Sequence, residues 1–300
     1  MHSLSRIFIF ALLLLGSATA RAQEARMLAP DTLSTNDVFG FTLTPDGKSG
    51  FYVKSFGGRD TLILMMAQFR GGRWEKPVTA PFSSADGRFK DIDPFVTPDG
   101  KLVLFNSTRP LPGKTASGDF NIWAARRTAR GWSEPFVLSA VLNSDSSDIY
   151  ATATRSGTVY FASDRAGGLG GLDLYRSEFR NGAYQPPVNL GPNINSSSGD
   201  SNPYIAPDES YLIFVSRRPD GPGGFLISFR QGSEWTKPVG IPLPQEAASG
   251  GFCPFVTADG RTFYYSRTRR EGSRFIENIY FIPAEHLHLD ALRDKAMQGR

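Results

Sequence analysis

The residues with the most chemistry to offer recur at matched places along the chain. Asp91, Asp148 and Asp200 occupy one shared position, and two residues further on lie Asp93, Tyr150 and Asn202. In the same frame the first position is Val38 and Gly251 in two further copies, and the third is Gly40 and Cys253. Four carboxylates and one amide brought into a ring would supply oxygen donors of the kind a hard cation such as calcium takes, or would hold a cationic or polyhydroxylated ligand. Two carboxylates about 5 to 10 Å apart are also the minimum equipment of a glycoside hydrolase. The competing expectation is structural: an aspartate that begins a strand bonds turn amides or the arginines of a neighbouring unit. No particular metal ligand set can be named.

Other chemistries lack their parts. Cys253 is the sole cysteine, so no intrachain disulfide is possible, and a buried, unreactive thiol is expected. After His2 the histidines are His286 and His288, and no Gly-x-Ser-x-Gly elbow is present, so Ser and Cys triads have no base in the body of the chain. His286, His288 and Asp290 are spaced by two, and on a helix such residues do not share a face. The glycine runs Gly167 to Gly171 and Gly221 to Gly224 fall between strands rather than ahead of a helix, which marks them as interstrand loops and not phosphate cradles. A formal charge of +4 on 300 residues is too small a bias to argue for nucleic acid.

The elements that must position these residues come from a repeat of about fifty residues. Thr44-Pro45-Asp46-Gly47 returns as Thr97-Pro98-Asp99-Gly100, weakly as Thr154-Arg155-Ser156-Gly157, then as Ala206-Pro207-Asp208-Glu209 and Thr257-Ala258-Asp259-Gly260. Each copy sits between short apolar runs and predicts a tight hairpin: Pro presets φ, Asp bonds its own backbone and Gly supplies φ > 0. A third strand holds Asn121-Ile122-Trp123, Asp173-Leu174-Tyr175 or Asn278-Ile279-Tyr280. A fourth is marked by an aromatic three residues before a proline, as in Trp74 and Pro77, Trp132 and Pro135, Tyr184 and Pro187, and Trp235 and Pro238. Proline belongs on an edge or strand end, and the outermost strand of a small sheet is an edge.

Four short antiparallel strands per repeat are the unit of a β-propeller blade, and such small sheets bury their faces only by stacking around an axis. The expected fold is therefore all-β, a single propeller of four-stranded antiparallel blades over residues 23–283. Five blades are favoured, with six as the alternative, and a short helical tail follows over 284–300. The last repeat lacks its outer strand, which the segment from Ala25 to Ala29 is expected to supply. Arg109, Arg165, Arg218 and Arg267 recur with the repeat and are read as contacts between blades. Trp74, Trp132, Tyr184 and Trp235 are read as packing anchors.

The Thr97-Pro98-Asp99-Gly100 turn followed by Ser107-Thr108-Arg109, with Gly170-Gly171-Leu172-Asp173-Leu174-Tyr175, resembles the Pro-Asp repeats of TolB-type propellers, relatives of the WD repeats. The resemblance covers Asp37 to Pro283. It departs at Arg155-Ser156, and the first repeat lacks a Ser-x-Arg element. It implies an exported bacterial protein of a group that often binds protein partners in the envelope and includes both non-catalytic members and propellers joined to hydrolases.

Arg6, the apolar run Ile7 to Leu15 and Ala20-Arg21-Ala22 have the order of a secretory signal peptide over residues 1–22, with cleavage after Ala22. The nine-residue run is short against the roughly 20 that span a bilayer, so no transmembrane segment is expected after its removal. The reading is a periplasmic or secreted, monomeric, non-catalytic binding module without a cofactor. It would present one propeller face to an envelope protein or glycan. The alternative is a carbohydrate-active hydrolase or lyase using carboxylates at the channel mouth.

Overall fold

The computed structural model describes residues 24–115, 118–218, 224–243 and 250–298; the signal segment and most of the Gly221 to Gly224 loop lie outside these. Five antiparallel sheets, the third accompanied by a two-stranded ribbon of Phe179–Arg180 and Ala183–Tyr184, form five blades. Their inner strands are Val38–Leu43, Asp91–Val96, Asp148–Ala153, Asp200–Ile205 and Gly251–Val256, each beginning at the shared position identified above. Every inner strand lies against the next and the fifth against the first, which closes the ring.

The hairpin joining inner and second strands is built as its residues dictate. In blade 2 the Thr97 hydroxyl donates to Asp99 at 2.8 Å, the Leu102 amide donates to the same hydroxyl at 3.0 Å, and Gly100 takes φ 69°. Blade 3 makes this turn without Pro or Asp: Ser156 pairs with Thr154 at 2.8 Å and Gly157 has φ 90°. In blade 4 Glu209 holds the left-handed position at φ 63°, a conformation costing a side-chain-bearing residue roughly 1–2 kcal/mol. Its carboxylate receives the Tyr160 hydroxyl of blade 3 and faces Arg230 at 3.8 Å, so the strained turn is tied to two strands.

In blades 1 to 4 the outer strand is split at proline. In blade 1 Arg73–Trp74 and Val78–Thr79 pair with different stretches of the third strand Thr61–Arg70, and Pro77, without an amide hydrogen to donate, falls in the gap. Blade 5 receives its outer strand from the other end of the chain: Arg26 and Met27 pair with Phe281 and Tyr280 on Arg274–Pro283, and Leu28 adds a 2.9 Å bond to Ile279.

Inner strands are stapled by side chains. Thr42 accepts from the Val96 amide at 3.1 Å, the Tyr204 hydroxyl donates to the Val256 carbonyl at 3.0 Å, and Asn106 bridges to Asp148 and Tyr150, both at 2.8 Å. Aromatics fill the wedges between blades. Trp132 meets Phe51 edge-on at 5.4 Å and Trp235 meets Tyr160 at 6.2 Å, both across a blade boundary, whereas Tyr184 packs at a tilt against Phe179 within its own blade.

The tail expected as one helix from Ala284 is two pieces. A 3-10 turn, Ala284–Leu287, ends at His288 with φ 51°, and an α-helix, Leu289–Gln298, buries Leu292 and Ala296 against the third strand of blade 4. Among the described residues no helix is long and apolar enough to cross a membrane.

Candidate functional site

The third residue of every inner strand has a left-handed backbone: Gly40 at φ 64°, Asp93 at 53°, Tyr150 at 60°, Asn202 at 52° and Cys253 at 51°. Strand pairing slips at this point in all five blades, for example between Ile92 and Phe95, so each inner strand carries a bulge. Strict alternation would put the first and third residues on one side of the strand. The bulge separates them instead.

Asp91, Asp148 and Asp200, at the first position, are fully buried, and none of them is among the residues that line the funnel described below. Asp91 accepts from the Ser84 amide at 2.7 Å and the Ser83 hydroxyl at 2.9 Å, and pairs with Arg109, which also donates to the Phe82 carbonyl at 3.0 Å. Asp148 repeats this with the Ser144 amide at 2.6 Å, Arg165 and the Leu142 carbonyl. Asp200 takes the Ser196 amide at 2.6 Å and a looser Arg218 pair at 3.9 Å. Each arginine therefore ties a carboxylate of its own blade to the segment arriving from the blade before. Arg267 does not follow: it sits opposite Gly251, at the register place of Ser107, and the first position of blade 5 is glycine rather than aspartate.

Asp93, Tyr150 and Asn202, at the third position, come together at the base of an open funnel of about 950 Å³. Its wall is made by the second residues, Phe39, Ile92, Ile149, Ser201 and Phe252, and by residues at one matched third-strand position, Leu62, Phe120, Leu172 and Glu277. At the base Asn202 and Asp93 flank the Cys253 thiol, each 3.4 Å from it, which leaves only a narrow throat beyond.

Asp93 is 7 % exposed, its Oδ1 accepts the weak thiol bond, and its Oδ2 is buried with no hydrogen-bond partner. Burial pushes its pKa from 3.8 to about 7, against the opposing pull of the Cys253 bond and the Arg59 charge. Burial, reinforced by Asp93, likewise holds the Cys253 thiol and the Tyr150 phenol well above their ordinary values, so neither is an anion at neutral pH.

Three contributors were not visible as a pattern. Arg59, at φ 80° in the loop after the second strand of blade 1, pairs with Glu277 of blade 5 and lies over the Phe39 ring at 4.6 Å. Burial is the largest single influence and works against its charge, but the Glu277 bond and charge, with smaller pulls from Tyr150 and Asp93, together raise its pKa. Glu277 is nearly buried and also accepts from Thr268 at 2.9 Å. Lys90, at the rim, donates to the Arg59 carbonyl at 3.0 Å. Matching the residue ahead of Asn121, Asp173 and Asn278 would have found Glu277; nothing repeated announces Arg59. For calcium, the carboxylates are divided between these two settings, and among the described residues no group of three or more His, Cys, Asp or Glu side chains could hold a metal ion.

No protein-family model and no curated protein matches the sequence. Solved structures do match. A thermostable family-43 glycoside hydrolase is similar at 11% identity and TM-score 0.56, covering 83% of this chain and 91% of its own. An α-L-arabinofuranosidase from Lactobacillus brevis is similar at 14% and 0.54, covering 84% and 93%. TolB from Acinetobacter baumannii matches at 19% and 0.48, covering 83% of this chain and 54% of that one, so the chain spans about half its length. At these identities the likeness is one of fold: the chain is a β-propeller of five blades.

Proposed function

We propose that the chain is an exported, non-catalytic binding module of the periplasm or exterior, which receives the end of a glycan in the funnel. The observation that carries this reading is the Asp93 Oδ2 atom, buried at the base of a concave site and lacking a partner. A buried polar atom without a partner costs free energy that a ligand group recovers, and a sugar hydroxyl, which both donates and accepts, serves the carboxyl in either protonation state. Tyr150 and Asn202 beside it offer further polar contacts, and the half-buried Phe252 ring gives an apolar patch of wall that a pyranose face packs against, while Phe39 lies buried beneath Arg59. Asp91, Asp148 and Asp200 serve the fold by holding the loops. Glycoside hydrolases share this architecture, which makes a sugar a ligand the scaffold can be shaped to hold.

A second reading has one observation of its own. Asp93, protonated to about pH 7, shares the funnel with the ion-paired Glu277, and unlike settings of two carboxyls are what a hydrolase uses for acid and partner. Both readings are tested by presenting the purified chain with a panel of cell-wall and plant-type oligosaccharides, following binding by calorimetry and turnover by reducing ends. The module reading expects saturable binding, weakened by Asp93→Asn, with no products. Products that vanish in both Asp93→Asn and Glu277→Gln would replace it with the hydrolase.

A further inference from the structure

The rim of the funnel is cationic, and the glycan reading of the funnel does not use that charge. Blade 5 differs from the others in the hairpin between its second and third strands. In blade 2 the matching pair of strands ends at Ser107 opposite Asn121, whereas in blade 5 pairing continues past Arg267 and Asn278 for four more rungs, to Glu271 opposite Arg274. This projecting finger carries Arg267, Arg269, Arg270 and Arg274 with Glu271 its sole acid before Glu277, and Arg269 pairs with Glu271 at 2.5 Å.

Alternation along the finger decides which side meets the funnel. Thr268 lies opposite Glu277 and Arg270 opposite Phe275, two rungs on, so these four share a face. Thr268, Glu277 and Phe275 line the funnel, which places Arg270 above them on the same side. Arg270 stacks on the Phe275 ring at 5.1 Å, and that ring is 55% exposed. On the neighbouring blade 4 Arg217, exposed, makes no ion pair among the described residues, and Lys90 of blade 2 completes the set. Against these cations the lining offers two acids: Glu277, already met by Arg59, and Asp93, which is buried at the base.

We propose that the ligand is an acidic glycan, whose uronate carboxylates are met by Arg217, Arg270 and Lys90 at the rim while a sugar hydroxyl donates to Asp93 at the base. This rests on the funnel being the glycan site. Guanidinium groups bind carboxylates by paired hydrogen bonds, and an exposed aromatic beside them gives the sugar ring a platform. A bare anion needs no such platform and no polar base.

The test uses the full mature chain and calorimetry with tetragalacturonic acid, its methyl-esterified form, cellotetraose, dextran sulfate and anionic phospholipid vesicles, at low and moderate salt. Preference for the free acid over its ester by tenfold or more is expected. Arg217→Gln and Arg270→Gln should each lower affinity for the acid about five- to tenfold and flatten its salt dependence, with little effect on the ester. Asp93→Asn should weaken acid and ester alike. Equal binding of acid, ester and cellotetraose would overturn the acidic preference and leave the glycan site standing. Binding of dextran sulfate as tight as the uronate, or of vesicles in place of sugars, would replace this proposal with a general basic surface or a lipid site. Binding of no glycan at all would remove both the preference and the site beneath it.

Discussion

Replacing Asp93 by Asn should make the folded chain more stable at pH 8 and abolish a pH dependence that the native chain shows. The native carboxyl is buried with one oxygen unpartnered, and burial lifts its pKa from 3.8 to about 7 although Cys253 and Arg59 pull it down. In the unfolded chain the same group ionises near its ordinary value. Between the two values the folded state therefore keeps a proton that the unfolded state has released, and stability falls as pH rises. The contribution is whole below about pH 4 and is lost by the time pH passes 7. At about 1.36 kcal/mol for each pH unit between those limits, the loss comes to about 4 kcal/mol from pH 4 to pH 8. Asn cannot ionise. Urea unfolding of the two proteins at pH 4, 6 and 8 should give a difference that grows in the variant's favour by about 4 kcal/mol, or about 10 °C in thermal melts of a chain this size. A difference that stays flat, or shrinks with rising pH, would mean that the carboxyl is solvated or paired in the folded protein, and the unpartnered base of the funnel would no longer support a ligand.

Arg109→Ala should cost about 3–5 kcal/mol in unfolding free energy, because it strands the fully buried Asp91, and combining it with Asp91→Asn should recover part of that loss. Trp235→Ala should also cost about 3–5 kcal/mol by opening a cavity against Tyr160 at the blade 3 to blade 4 boundary. Deleting Ala25 to Pro30 should expose the edge of blade 5, read as faster amide exchange at Leu28's partner strand Arg274–Pro283, with blades 2 and 3 protected as before. Tyr204→Phe should lose about 1 kcal/mol through the hydroxyl bond to Val256, measured by denaturant unfolding.

The blades were legible because their signals are local. A Thr-Pro-Asp-Gly turn closes through contacts within six residues, so reading it needs no knowledge of the rest of the chain. Ser156 and Glu209 show the limit: different side chains satisfy the same turn, which is why those copies looked weak. Ring closure was readable from arithmetic, since blade 5 lacked a strand and the chain had a spare one. The site was half readable. Alignment found Asp93, Tyr150 and Asn202, yet it grouped them with Asp91, Asp148 and Asp200, because a left-handed backbone at Asp or Tyr leaves no mark in residue type. Glu277 hid at a position that is apolar in blades 1 to 3, and Arg59 acts from a loop whose residues do not repeat in the other blades.

The five left-handed residues behave as interchangeable sockets: one backbone shape, with a different occupant in each. Pairing on either side of a bulge is carried by main chain, so exchanging one occupant leaves its four counterparts in place, and specificity is open to rewriting one socket at a time. Gly40 is the bare one. A Cβ added there would lie 3.4 Å from Val53 Cγ2 and 3.6 Å from Asp93 Oδ1, ordinary contact distances, at a left-handed φ that costs a side chain roughly 1–2 kcal/mol and that four other side chains already adopt. Serine at that socket would set a hydroxyl near the Asp93 carboxyl, giving the buried acid a partner from within the chain and fixing the base of the funnel.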